Sequence, residues 1–406
     1  MANFSVFLGL LLLIAIILRV DFVFYIIYVL LGLWLLARVG LKRAIGKLTW
    51  QRHLAGHAFL GDTVEVQLEI TNRSWLPLPW LRVTDSVPIN LFGGDQARQL
   101  FSLGRGESHR IHYQLQCNRR GYYPIGPLSI TGGDALGFVE ATYRASEQDY
   151  LTVYPKISPL ANVGLRSPQP FGTLRSSYRI FEDPSRLAGL RSYQTGDSIR
   201  RIHWKASAHA DDLLVKKVEP AMALESFLVL DLFKNSYHRQ LRYITSEWSI
   251  SLTASIAYYL IQAGQNVGLA VNGADPLHDG HPPRPIAPAG GNGALMQMLE
   301  ILARITIGEH PPTTEWLSDA TVDLSWGTTL VVIAPRGDDD LLSALHMHVR
   351  RGFNVTLIAT EPFARFARIQ SRARLLGFDA FNITNEADLK NWSALMTPSG
   401  RHTAVS

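Results

Sequence analysis

Two long uncharged runs at the N-terminus restrict the fold of this chain more than any other feature of its 406 residues. Residues 4–18 and 22–37 carry no charged side chain, and only Arg19, Val20 and Asp21 separate them. Each run is short of the roughly 20 residues a helix needs to cross ~30 Å of hydrocarbon. Flanking apolar residues and snorkelling side chains make up the difference. A signal peptide would show a basic leader and a small-residue cleavage site, and neither is present. The pattern predicts a transmembrane helical hairpin with a tight turn at 19–21. Arg38, Lys42, Arg43, Lys47 and Arg52 follow the second run with no acid among them. The positive-inside rule therefore places that flank, both termini and the soluble domains in the cytoplasm, on a two-helix, multi-pass protein of the cell membrane.

The same residues explain the charge. The formal net charge is +5, and the segment up to Arg52 supplies all of it, with six basic residues against Asp21 alone. The remainder is balanced. The basic character reports an anchor facing a lipid bilayer and argues against a nucleic-acid partner. The single cysteine, Cys117, permits no intrachain disulfide, which agrees with a reducing compartment.

Between Thr63 and Thr71 apolar and polar residues alternate strictly, the mark of a strand with one dry face. Similar signals at 80–84, 110–117, 122–131 and 150–154 are punctuated by Gly, Pro and Asn. They predict an immunoglobulin-like β-sandwich over 49–155, with Cys117 inert on its inner face. A Pro- and Ser-rich stretch opens a linker and signature segment over 156–222. There Arg191, Gly196, Asp197, Arg200, Arg201, His203, Trp204 and Lys205 interleave basic and aromatic residues. We expect Arg191, Arg200 and Arg201 to pair with Glu182, Asp183 and Asp197, and Trp204 to pack in the core.

From 223 to 396 apolar strands alternate with amphipathic helices. Strands are expected at 225–232, 267–271, 329–334, 354–359 and 380–383, and helices around Trp248–Ala263, 294–305, 341–349 and 363–376. Residues 273–292, rich in Gly and Pro, read as a long mobile loop. This is an α/β domain with a parallel sheet covered on both faces, Rossmann-like in class, followed by a tail at 397–406. Ligands bind such sheets outside the carboxyl ends of the strands. Asp338, Asp339 and Asp340 are expected to cap the helix that comes after them.

The run from Leu190 through Gly196-Asp197, Arg200 and His203-Trp204-Lys205 to Lys216 resembles the signature of the domain-of-unknown-function 58 family. The Arg119-Arg120-Gly121-Tyr122 turn and the Gly133–Phe138 stretch extend the resemblance over nearly the whole chain; His203 stands where the family more often has Asp. The resemblance implies a membrane-anchored protein whose last domain is von Willebrand A-like, often encoded beside a MoxR-type AAA+ ATPase. It also implies a divalent-metal site, Asp-x-Ser-x-Ser, after the first strand, and oxygen ligands of that kind suit Mg²⁺. Here Asp231 is kept, Phe233 replaces the first Ser and Asn235 the second, while Lys234 and Arg336 bring positive charge to the same place.

Motifs for nucleotide hydrolysis, zinc proteolysis and the Gly-x-Ser-x-Gly hydrolases are absent from the sequence. Gly196-Asp197-Ser198 and Asp275-x-x-His278 resemble two blocks of Gly-Asp-Ser hydrolases, but Ser198 comes after a polar stretch rather than a buried strand. The reading that results is a non-enzymatic scaffold without a required cofactor. It would engage a protein partner, an AAA+ ATPase, through a rim around Asp231, Asn235 and Arg336, with the signature segment bracing it. A metal-dependent adhesion module acting through Asp231, and a hydrolase using Ser198, are the alternatives.

Overall fold

Strict apolar–polar alternation marks the strands expected at 63–71 and 110–117, and the computed structural model forms strands there, at Thr63–Asn72 and Ser108–Gln116. It describes the chain apart from residues 1–8, 12, 15, 18–20, 92–96, 136, 138, 159–186, 194–201, 209–212, 219–224, 310, 363–365 and 391–406. The chain divides into two units, the first formed chiefly by Met1–Lys156 and the second by Ile157–Ile301 with Ile305–Ser406.

The first unit opens with helix α1 (Asp21–Ile45). Its Phe22–Ile45 stretch is the one helix among the described residues long and apolar enough to cross a membrane. Exposed helical residues also occur between 9 and 17, but the expected turn falls mostly outside the described residues. The helix runs on through Arg38, Lys42 and Arg43 rather than stopping at 37, and buries Leu41, Ala44 and Ile45 in the core of the β-rich domain. Arg38, Lys42 and Arg43 thus form the outer face of a packed helix, whereas Lys47 and Arg52 of the basic flank lie beyond its end.

Ten strands come next among the described residues: β1 (Leu48–His53), β2 (His57–Phe59), β3 (Thr63–Asn72), β4 (Leu78–Asp85), β5 (Arg98–Leu103), β6 (Ser108–Gln116), β7 (Gly121–Ile125), β8 (Leu128–Gly133), β9 (Glu140–Arg144) and β10 (Asp149–Tyr154). They form sheets in the orders β1-β3-β6, β2-β10-β7 and β5-β4-β8-β9, whose inner faces share one apolar core. The stretch expected as one strand at 122–131 is two, broken at Gly126-Pro127, since Pro cannot donate to a ladder. Cys117 is buried as expected, and burial pushes its thiol up. Gly132 lets α1 approach: a Cβ there would stand 3.2 Å from Ile45.

In the second unit, β11 (Leu187–Ser192) and β12 (Leu214–Val218) pair antiparallel around the short helix α2 (Trp204–Ser207). Beyond them lies a six-stranded sheet, built from β13 (Glu225–Leu230), β14 (Asn266–Val271), β15 (Ile286–Ala289), β16 (Thr329–Ala334), β17 (Asn354–Ala359) and β18 (Asp379–Asn382) in the order β15-β14-β13-β16-β17-β18. All neighbours are parallel except β15, which runs antiparallel at the edge. The helices are α3 (Arg242–Gln262), α4 (Gly291–Arg304), α5 (Thr313–Ala320), α6 (Asp339–Arg350), α7 (Phe366–Leu375) and α8 (Glu386–Lys390). The expected mobile loop at 273–292 instead holds β15 and a 3₁₀ turn capped by buried Asp275, whose carboxylate accepts from Leu277 N. Asp338 caps α6 by accepting from Leu341 N at 2.9 Å, as its sequence position implied.

Candidate functional site

Strand order reverses at β13: β14 lies on one side of it and β16 on the other. That switch point leaves a crevice at the carboxyl ends, the usual place for a site in such a sheet. Each parallel strand delivers a polar residue there: Asp231 after β13, Asn272 after β14, Arg336 after β16, Thr360 and Glu361 after β17, and Asn382 at the end of β18.

Asp231 is 3% exposed. Its Oδ1 accepts from Phe233 N at 2.9 Å and from Asn272 Nδ2 at 3.0 Å. Asn272 in turn accepts from Leu232 N at 2.5 Å and donates to Pro311 O at 3.3 Å. Burial raises the Asp231 pKa above the usual carboxylate range, against the opposing pull of Phe233 N–H, Asn272, Ser236 and Thr313. The Tyr237 hydroxyl donates to Asp231 O at 2.6 Å, and burial together with the Asp231 charge pushes that phenol well up.

The segment after Asp231 is carried across the crevice. Arg336 donates to Ser236 O through Nε (3.1 Å) and Nη2 (2.8 Å), and its Nε lies 3.2 Å from Glu361 Oε2. Glu361 is buried and accepts from His238 N at 2.7 Å. Asn382 Nδ2 braces the Glu361 carbonyl at 2.9 Å. Residues 231–238 are therefore tied to the ends of β16 and β17 as a strap over the switch point. Lys234 and Glu309 make an exposed ion pair at its outer edge, which lowers the Glu309 pKa. Past the strap, His238, Arg239 and Gln240 are exposed, and so are Leu241, which precedes α3, and Tyr243 and Ile244 in its first turn.

The expected site residues divide accordingly. Arg336 joins the Asp231 strap and is partly exposed, while Asn235 sits exposed on the 3₁₀ turn. Ser236, not Asn235, is the residue aligned with the Asp231 carboxyl. Gly196, Asp197, Ser198 and Arg200 lie outside the described residues, as do Arg201, Glu182 and Asp183; the Arg191 backbone belongs to β11. Lys205 is exposed in α2. Trp204 does not pack in the core: it is 63% exposed, because His203 caps a four-residue helix that buries nothing and turns its first side chain outward. Ile202 and Val215 fill the local apolar contact instead. Asp275 and His278 do meet, at 3.0 Å, as an i,i+3 pair closing the 3₁₀ turn.

The donors a divalent cation would draw on here are Asp231 and the Ser236 and Thr313 hydroxyls beside it. Among the described residues there is no group of three or more His, Cys, Asp or Glu side chains placed to hold one. The Asn272 amide directs an N–H at the oxygen a metal would need. Asn272, Ser236, Tyr237, Thr313 and Glu361 escaped the sequence reading. The available signal was positional, since Asn272 is the first polar residue after β14 and Glu361 stands two residues beyond β17.

The model of the family described as "Protein of unknown function DUF58" matches residues 189–328, from β11 to the edge of β16. The "Uncharacterized protein YeaD" of Bacillus subtilis is 27% identical over 229 residues, covering 54% of this chain and 55% of that protein. The chain thus matches about half the length of that relative. Among solved structures, the CARDB domain of the PF1109 protein from Pyrococcus furiosus is 14% identical with a TM-score of 0.20, over 26% of this chain and 86% of that one. An alpha-2-macroglobulin structure from Escherichia coli is 20% identical with a TM-score of 0.24, over 27% of this chain and 17% of that one.

Proposed function

The chain belongs to the DUF58 family, of unknown function, and from that premise we propose that it is a membrane-anchored, non-enzymatic scaffold whose C-terminal unit docks a protein partner. The partner, by the family resemblance, is a MoxR-type AAA+ ATPase acting in complex assembly. In this reading α1 is one arm of the transmembrane hairpin, the soluble units are cytoplasmic, and the β-rich unit is an immunoglobulin-like spacer. The strand order with its antiparallel edge supports a von Willebrand A-like reading of the second unit.

One observation carries the proposal. The strap closes the crevice with the chain's own residues, and next to it in the chain stand exposed Arg239, Leu241, Tyr243 and Ile244. Aromatic, aliphatic and Arg side chains grouped on a rigid edge are what protein interfaces use as anchors. Asp231 is buried and does not touch a partner itself; it holds the strap in place. Trp204 and Lys205 of the signature segment are exposed on the same unit.

The test is recovery of the ATPase with the full-length protein solubilised from membranes. Ile244→Asp, which is exposed and leaves the core intact, should reduce recovery about 30-fold, the loss of a ~2 kcal/mol anchor. Equal recovery at equal expression would remove the proposed docking edge.

A further inference from the structure

Helix α1 does not end where its apolar window ends. Trp34 and Ala37 pack against the β-rich core, and Leu41, Ala44 and Ile45 enter it. Counting from Phe22, the uncharged run ends at Ala37, ~24 Å along the helix at 1.5 Å per residue, which brings the far boundary to the turn that carries Trp34, Ala37 and Arg38. The β-rich domain therefore sits on the part of the helix that leaves the bilayer, with no linker between them. One end of that domain must lie at headgroup depth.

The contacts say which end. Gly40 faces the loop joining β3 to β4: a Cβ on it would stand 3.5 Å from Leu76 Cδ2. The register pairs Leu48 with Asn72 and Thr71 with Ser108, so the 73–77 loop, the start of β1 and the 104–107 turn share this end. The loop is held by buried Asn72. Its Nδ2 donates to Leu76 O (3.0 Å), Leu103 O (3.3 Å) and Gly104 O (3.0 Å). Its Oδ1 accepts from Ser74 N (2.9 Å) and Ser74 Oγ (2.7 Å).

All of this polar bonding presents one large side chain to the outside. Trp75 is 63% exposed, with Arg73 and Arg105 exposed near it. The acid of the neighbouring turn, Glu107, is folded back onto Gly104 N at 2.7 Å. Indole is apolar with one N–H donor and partitions to the bilayer interface, and basic residues near an anionic surface are attracted to it.

We infer that the 73–77 loop is a membrane foot. Trp75 inserts at headgroup level of an anionic lipid surface, and Arg73 and Arg105 engage its phosphates, fixing the β-rich domain against the bilayer at a set tilt. This rests on the reading of α1 as a membrane anchor. The test uses the full-length chain, where buried Cys117 leaves an engineered cysteine as the reactive one. Trp75→Cys, Leu31→Cys within α1, and Glu65→Cys toward the other end of β3 each carry an environment-sensitive fluorophore. They are reconstituted in phosphatidylcholine vesicles with and without phosphatidylglycerol, containing lipids with quenchers at headgroup or mid-chain depth.

The expected result is mid-chain quenching at position 31, headgroup-level quenching at 75 that strengthens with phosphatidylglycerol, and none at 65. A water-like, unquenched label at 75 with quenching at 31 would overturn the foot and leave the anchor standing. A label at 75 that is blue-shifted but unquenched by lipid would mean that protein covers it, and would also overturn the proposal. No quenching at 31 would remove the anchor and the foot with it.

Discussion

Burial is the largest influence on the Asp231 carboxyl, and it raises the pKa despite hydrogen bonds from Phe233 N–H and Asn272. A folded-state pKa above the unfolded value of about 3.9 means that the folded protein holds this proton more tightly. The stability tied to the residue is therefore greatest below the ordinary Asp range and declines as pH rises through it. Asp231→Asn keeps an oxygen for Phe233 N–H while removing the buried charge. The variant should be more stable than wild type at pH 7–8, by about 1.4 kcal/mol for each tenfold change in proton affinity, and the gap should close near pH 4. Thermal melts across pH check this; a gap independent of pH would contradict it.

At the scale of elements, the β-rich domain is cross-linked by one buried cation. Arg52 on β1 donates to Asp85 on β4 through Nε (3.0 Å) and Nη2 (2.8 Å), and to Asp149 on β10 at 2.5 Å. The Tyr113 hydroxyl on β6 donates to Asp85 at 2.7 Å. Burial and the Asp85 charge push that phenol up. The Arg52 and Asp85 side chains are essentially inaccessible, whereas that of Asp149 is 46% exposed. Asp85→Ala strands a buried guanidinium and should cost about 3–5 kcal/mol, while Asp149→Ala should cost under about 1 kcal/mol. Denaturation tracked by Trp emission will show whether the two costs separate in that order.

None of this network was readable from the sequence, because Arg52 counted there as part of a basic flank. The strands themselves were legible wherever period-two alternation matched a face buried on one side, as in β3 and β6. Edge strand β9, exposed at nearly every position, gave no such pattern. Helix α1 extended past its expected end because tertiary packing of Leu41, Ala44 and Ile45 overrides the charges between them. Helix α5 was missed since eight residues, with Trp316 and Leu317 as its packing side chains, form too short a periodic run; Pro311-Pro312 before it was the available start signal. At the site, Asp231 and Arg336 stood out as charges near strand ends. Asn272 and Glu361 did not, because their importance depends on which strands become neighbours.

At the scale of the whole molecule, the chain combines an apolar helix packed directly into a β-rich domain with an α/β unit whose ligand crevice is closed by its own strap. On the proposed function, a AAA+ ATPase docks on the strap and the first turn of α3. Site-specific photo-crosslinking tests this most directly, with a photoreactive amino acid replacing exposed Asn235 in the full-length protein in its native membrane. The expected outcome is one dominant adduct containing the ATPase, identified by mass spectrometry and lost in an Ile244→Asp background. Adducts that contain no ATPase, or an ATPase adduct unchanged by Ile244→Asp, would contradict the docking.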